Sequence, residues 1–204
     1  MTPSAFIHLP ELAGRLTPAD ACGLRLTDEE LAAWDAQARL QGLPADWRLS
    51  TQEVERSRQA VLAGQDGEDL WVFAYGSLMW NPGIHFEEVR RARLDGFVRR
   101  FALATAIGRG TPECPGLVLT LQRQAGTCQG LAFRIHRAQV ETESRLLWRR
   151  EMIRAAIARR CCRWTPPRGA SRRWCSRPIP PTRSTATIFR WQRRPPPLPA
   201  PAAA

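Results

Sequence analysis

The amino-acid sequence predicts an α+β fold, a small mixed or antiparallel β-barrel with flanking helices, preceded by an N-terminal helical segment. Three observations predict it. Two helix-start signals stand within the first 62 residues. Between Leu70 and Ile135, apolar runs of strand length alternate with Gly/Pro punctuation. A helical apolar stripe then covers residues 137–153.

Thr27 followed by Glu30 is a capping-box pattern, with Leu31, Trp34 and Leu40 on the helix behind it. Ser50 followed by Glu53 repeats the signal ahead of Val54, Val61 and Leu62. Residues 1–68 thus read as a helical accessory segment that packs on the main domain, joined to it by Gly64-Gln65-Asp66-Gly67. Leu70–Tyr75 is a buried strand stopped by Gly76. Phe97–Leu103 follows the turn signal Asp95-Gly96, Leu117–Leu121 follows Pro115-Gly116, and Leu131–Ile135 follows the glycines at 126 and 130. No helical pattern interrupts these runs, which argues against a βαβ array. The helix 137–153 closes a domain spanning 69–154.

From residue 155 the chain changes character. Its net charge is +11, from 30 basic and 19 acidic residues, and every basic residue is Arg. Residues 155–204 hold 11 of these arginines and no Asp or Glu, so residues 1–154 balance at 19 against 19. The excess charge therefore does not mark the folded part as a nucleic-acid binder. The tail also carries 10 of the 17 prolines and 3 of the 6 cysteines, without sustained apolar periodicity. Such a segment buries too little apolar surface to offset its ordering entropy. Three readings fit it: a disordered basic arm, a Pro-rich ligand for another domain, or translation out of frame from near codons 152–155. For the last, suitable synonymous codons let a neighbouring frame read as continuous protein-like sequence. That sequence restores acidic residues, an alternating Val/Leu strand and a Gly-Tyr soon after Glu151-Met152.

Met1-Thr2-Pro3 leads into mixed polar sequence with no signal-peptide pattern, and no run approaches the roughly 18–20 apolar residues of a membrane span. The six cysteines show neither a disulfide framework nor zinc spacing, and His8, His85 and His136 share no metal-ligand spacing. The expectation is free thiols in a reducing cytoplasm, with no metal, no organic cofactor, no membrane and no nucleic-acid partner. Glu87-Glu88 beside Arg90-Arg91 reads as a solvated charge pair.

Two stretches carry chemistry. In Trp71-Val72-Phe73-Ala74-Tyr75-Gly76-Ser77-Leu78-Met79-Trp80, a strand runs into a glycine turn. Freed backbone N–H groups and a hydroxyl there suit a carboxylate or phosphate. In the helix 137–153, Val140, Ser144, Leu147 and Glu151 lie on one face, with Trp148 one turn before Glu151. Glu151 thus falls on the core-facing stripe, where burial disfavours its charge and suits it to proton transfer. The stripe alone leaves open a plain ion pair with Arg149, Arg150 or Arg154. Ser77 lacks evident His and Asp partners for a hydrolase triad. Arg109–Gly116 is a constrained loop, a pocket rim or a plain connector.

These blocks, with Asn81-Pro82, Arg109–Leu119, Gly130–Ile135 and Arg150-Glu151-Met152, resemble the ChaC-like glutathione-specific γ-glutamylcyclotransferases over about residues 70–153. The resemblance implies a γ-glutamylcyclotransferase-type β-barrel with flanking helices. It implies that Ala74, Tyr75, Gly76, Ser77, Leu78 and Met79 cradle the γ-glutamyl group and that Glu151 is the acid/base. The substrate would be glutathione, released as 5-oxoproline and Cys-Gly. Ala74 stands where the family often has Gly, and family members continue after Glu-Met with further strands and helices. Other γ-glutamyl-amines or amino acids as substrates, an inactive frameshifted remnant, and a basic-tail binder of nucleic acid or protein remain open. The last would lose affinity steeply with salt and entirely on removal of residues 155–204.

Overall fold

Strand β1 (Leu70–Ala74) is buried along its whole length. Alternate side chains of a strand face opposite sides, and here both sides are packed. Leu70, Val72 and Ala74 join Val89, Leu131, Phe133, Ile135 and Leu147, while Trp71 and Phe73 join Tyr75, Leu94, Phe97 and Cys128. A strand packed on both faces needs no polar alternation, which is why the sequence shows an unbroken apolar run. The computed structural model describes residues 3–64, 67–110 and 114–153, together with 164–165 and 187–189.

Strand β1 pairs antiparallel with β3 (Pro115–Ile135), from Leu70 opposite Ile135 to Ala74 opposite Leu131. In turn β3 pairs antiparallel with β2 (Glu88–Gly110). Two short strands, β4 (Trp164–Thr165) and β5 (Thr187–Phe189), pair with β2 and β1, giving the order β4-β2-β3-β1-β5. The α+β class expected from the sequence is what the described residues form, and every described pairing is antiparallel. The remainder of the predicted tail, 155–204, lies outside the described residues.

The strand boundaries need correction. The runs at 97–103, 117–121 and 131–135 are not separate strands but parts of the two long arms of one hairpin. At Asp95-Gly96 the chain does not turn back. The ladder steps from Asp95 opposite Thr127 to Phe97 opposite Arg123, with Gly96 at φ +80° and Gly126 at φ +146°. Glycine at positive φ serves a bulge as well as a turn, so the local signal could not tell them apart. Within the stretch 109–116, the last described pairing of the two arms sets Gly110 opposite Pro115. Residues 111–113 lie outside the described residues. Gly130 has a stricter cause: a Cβ there would collide with the Ala74 carbonyl oxygen and lie 2.9 Å from the Phe73 ring.

Both capping boxes form. Helix α1 (Asp28–Leu40) begins with the Glu30 N–H donating to Thr27 Oγ1 at 3.2 Å and the Thr27 N–H donating to Glu30 Oε2 at 2.6 Å. Helix α2 (Thr51–Leu62) repeats this with Ser50 and Glu53 at 3.2 and 2.9 Å. Helix α3 (Val140–Glu151) buries Ser144, Leu147, Trp148 and Glu151, as its stripe predicts, and Glu143 besides.

The N-terminal segment grips α3 through polar contacts. The Arg25 guanidinium donates to both Glu143 carboxylate oxygens, at 2.6 and 3.1 Å, and to the Gly83 carbonyl at 3.1 Å. The backbone N–H of His85 donates to the same carboxylate at 3.0 Å. Arg58, buried on α2, forks onto Glu55 and Glu141 and donates to Ser144 Oγ at 2.9 Å. The Arg58 fork holds the Glu55 carboxyl down at about 2. Trp148 Nε1 donates to Ser57 Oγ at 3.1 Å. Of the acidic residues expected to be solvated, Glu87 is exposed and Glu88 is half-buried. Glu88 accepts from Arg90 and Arg134, and His8 Nε2 lies 3.2 Å away.

Among the described residues, no helix is long and apolar enough to cross a membrane. Cys22 and Cys128 are buried free thiols, and Cys114 is exposed.

The Glu143 carboxylate is 3% exposed, so removing its cation leaves a buried charge. Arg25→Met should destabilise the protein by about 3–5 kcal/mol. Adding Glu143→Gln should recover part of that loss, read as thermal or denaturant midpoints of the single and double variants.

Candidate active site

Strand β1 delivers the turn. Past Ala74 the chain continues through Tyr75 and Gly76 into one turn of 3-10 helix, Ser77–Met79. The N–H groups of Met79 and Trp80 close back on the carbonyls of Gly76 and Ser77, at 2.9 and 3.2 Å, and the Asn81 N–H donates to Ser77 O at 3.0 Å. The first N–H groups of such a turn have no partner inside it. Gly76 has φ −135°, and a Cβ there would meet only Leu119 Cδ2, at 3.8 Å. Packing alone therefore leaves room for a side chain at that place.

The six predicted binding residues divide by burial. Ala74, Tyr75 and Leu78 are buried, Ala74 and Leu78 within the main core cluster. Gly76 and Met79 are half-buried and Ser77 is exposed, so the surface of the turn belongs to Gly76, Ser77 and Met79. Tyr75 stacks on Phe73 at a centroid distance of 6.3 Å. Burial pushes its phenol well above the usual range, and the nearby Glu151 carboxylate adds to the effect. Arg99 Nη1 on β2 donates to the Tyr75 carbonyl at 3.0 Å, fixing the strand end from the hairpin side.

Glu151 is the last residue of α3 and is 8% exposed. The two environments open at the sequence level, buried or ion-paired, hold together. Arg150 Nε lies 3.1 Å from Glu151 Oε1. Of the other candidate partners, Arg149 is drawn away to Asp28 Oδ1 at 2.6 Å and to the Leu26 carbonyl at 3.1 Å. Arg154 lies outside the described residues.

Arg150 also reaches the turn. Its Nη1 donates to the Asn81 carbonyl at 2.7 Å, and its Nη2 lies 3.5 Å from Ser77 Oγ. One guanidinium therefore stands between the carboxylate and the glycine turn, two features 74 residues apart in the sequence. The Asn81 side-chain oxygen is buried beside it with no hydrogen-bond partner among the described residues. The sequence marks Arg150 only as a candidate ion-pair partner of Glu151 and within a resemblance block, Asn81 only within such a block, and does not single out Arg99. The histidines lie elsewhere. His85 Nε2 is 3.1 Å from Asp20 Oδ1, and His136 Nδ1 accepts from the Ala138 N–H at 3.3 Å. Among the described residues, no group of His, Cys, Asp and Glu is placed to hold a metal ion.

A small antiparallel sheet thus presents a glycine turn, and Arg150 links that turn to a buried, helix-borne carboxylate. Residues 70–168 match the family of ChaC-like proteins, and over that stretch the resemblance stands. The chain is 42% identical over 105 residues to the glutathione-specific γ-glutamylcyclotransferase of Escherichia coli (strain K12), covering 51% of this chain and 45% of that protein. It is 33% identical over 109 residues to the glutathione-specific γ-glutamylcyclotransferase 1 of Danio rerio, covering 53% and 55% respectively. A solved yeast γ-glutamyl cyclotransferase specific to glutathione aligns at 24% identity with a TM-score of 0.36, over 39% of this chain and 46% of that one. The chain spans about half the length of the curated relatives it matches.

Tyr75 is the chain's single tyrosine, so its ionisation can be read directly. The unfolded chain loses the phenolic proton above about pH 10. The folded chain retains it to higher pH because the buried phenol resists ionisation. The unfolded state then binds fewer protons, and stability falls as pH rises past that point. Ultraviolet titration of tyrosinate should show no step at the free-tyrosine value and should rise only together with loss of folded signal.

Proposed function

We propose that the protein is a γ-glutamylcyclotransferase that cleaves glutathione to 5-oxoproline and Cys-Gly, with Glu151 as acid/base and the Tyr75–Met79 turn as the γ-glutamyl cradle. The observation that carries this reading is the buried carboxylate at the end of α3, tied by Arg150 to the glycine turn at the end of β1. It lies within the stretch that matches ChaC-like proteins.

The chemistry asks little beyond such a site. The α-amine of the γ-glutamyl group attacks its own γ-carbonyl, a five-membered lactam closes, and the bond to the cysteine nitrogen breaks. Because the nucleophile is tethered, holding it in attack geometry can draw on the roughly 7–11 kcal/mol available to well-oriented intramolecular reactions. Glu151 takes the proton that the ammonium must lose and returns one to the leaving amine. Such positioned proton transfer contributes about 100- to 10,000-fold. The N–H groups at the start of the turn, which have no partner within it, suit the substrate carboxylate or the oxyanion that develops on the carbonyl. A close approach by that ligand also gives Gly76 a purpose that packing does not. No step calls on a metal or organic cofactor. Glutathione as substrate and the free thiols fit a reducing cytoplasm.

The tail favours a second statement. Residues 155–204 combine 11 arginines with no acidic residue, after a segment of balanced charge. We infer that they are read out of frame, so the frame-restored protein carries the full activity and this chain is a weakened or inactive form of it.

Glu151→Gln in the frame-restored protein should abolish 5-oxoproline release from glutathione while leaving most substrate binding, measured by product chromatography and calorimetry. Near-normal turnover in that variant would sink the assignment. Equal activity of this chain and the frame-restored protein would sink the inference about the tail.

A further inference from the structure

We propose that Arg150 is a positioning residue of this site, a single buried guanidinium that holds the Glu151 carboxylate and the Ser77–Asn81 turn in one fixed geometry. The proposal deepens the reading of Glu151 as the acid/base and rests on it.

The guanidinium is spent entirely on the site. Its Nε faces Glu151 Oε1 at 3.1 Å, its Nη1 donates to the Asn81 carbonyl at 2.7 Å, and its Nη2 lies 3.5 Å from Ser77 Oγ. The Arg150 and Glu151 side chains are 7% and 10% exposed. At that burial a cation is costly to hold unless its donors are engaged. The planar fork of arginine, rigid and able to bond on several edges at once, is what lets one side chain address a carboxylate and a backbone turn together. Lysine, a flexible point charge, could replace the charge but not the fork.

The surroundings restrict the guanidinium further. A Cβ at Gly83 would lie 2.9 Å from Arg150 Nη1 and 3.0 Å from Cys22 Sγ, so the glycine at φ +63° is the space through which the arginine reaches Asn81. Cys22 Sγ lies 4.0 Å from the same nitrogen. The ionisable and charged groups around the Arg150–Glu151 pair come from several elements. Tyr75, just past β1, feels the Glu151 carboxylate, and Cys128 on β3 lies near Tyr75. Arg99 on β2 is committed to the Tyr75 carbonyl, Cys22 faces Arg150, and Arg149 is turned to Asp28. Arg150 is the cation in direct contact with Glu151 Oε1, at 3.1 Å.

The test compares Arg150→Met and Arg150→Lys in the full chain and in its frame-restored form. Two readouts are taken. One is the carboxyl titration of Glu151 by NMR, assigned with Glu151→Gln. The other is the pH dependence of kcat/KM for glutathione. An opposite charge at this distance moves a carboxylate's titration by about one to three on the pH scale. Arg150→Met should therefore carry both the Glu151 titration and the acid limb of the rate profile upward by about that amount, with kcat down about 100-fold. Arg150→Lys should keep the titration near its original position while kcat stays low, because charge returns without the tether to the turn. An unmoved titration in Arg150→Met, or full kcat in Arg150→Lys, would overturn the proposal. Absence of turnover in the frame-restored parent would count against Glu151 as acid/base, whereas the titration decides the Arg150 contact by itself.

Discussion

The carboxylate of Glu143 is the constraint around which the rest is arranged. Buried at 3% exposure in the first turn of α3, where the helix N-terminus favours a negative charge, it is paired with Arg25 and accepts from the His85 N–H. Arg25 in turn holds the Gly83 carbonyl, so one ion pair fixes the N-terminal segment, the loop after the glycine turn and the helix that ends in Glu151. Arg58 adds a second clamp from α2 onto Glu141 and Ser144 of the same helix. A buried ion pair contributes little net stability compared with apolar packing, but losing one partner is expensive. Its effect here is to allow one seating of α3, and with it one place for Glu151. The first 62 residues are therefore more than a lead-in, since they set the position of the helix that carries the proposed acid/base.

The arginine-only composition has a use in this setting. Arg25, Arg48, Arg58 and Arg134 each engage a carboxylate with two or more nitrogens, or engage two carboxylates at once. Forked donors with fixed geometry suit partly buried pairs better than a mobile ammonium does. Charges of residues 1–154 are thus paired within the chain in partly buried and in exposed ion pairs alike.

Legibility in the sequence followed the range of the interaction. The capping boxes at Thr27 and Ser50 were readable because donor and acceptor lie three residues apart. The stripe of Ser144, Leu147, Trp148 and Glu151 was readable because helical periodicity is local, and the run Leu70–Ala74 because a strand buried on both faces shows no alternation. The long hairpin was not readable. Gly96 and Gly126 carry the same positive-φ signal whether the chain bulges or reverses, and only pairing across 32 residues, Asp95 against Thr127, decides between them. Glu143 was missed because its polar character argues for the outside of a helix. The cation that reverses this stands 118 residues away. Of the candidate site, the turn and Glu151 were visible as separate blocks, and Arg150 as the link between them was not.

The position of Glu151 at the end of its helix adds a further electrostatic argument. Glu151 closes α3, where the last carbonyls lack intrahelical partners and present the negative end of the helix dipole. A carboxylate there is held against two opposing influences, burial and the helix terminus, both of which favour its protonated form. Arg150 beside it favours the charged form. The proposed base would have to be ionised to accept an ammonium proton, yet basic enough to hold it, and burial and the arginine act on these two requirements in opposite senses. An unpaired carboxylate at such a terminus would stay protonated too readily, and one paired in water would be too weak a base. Arg150 is shared between Glu151, the Asn81 carbonyl and Ser77, so the contact that positions the carboxylate also supplies the charge that favours its ionised form.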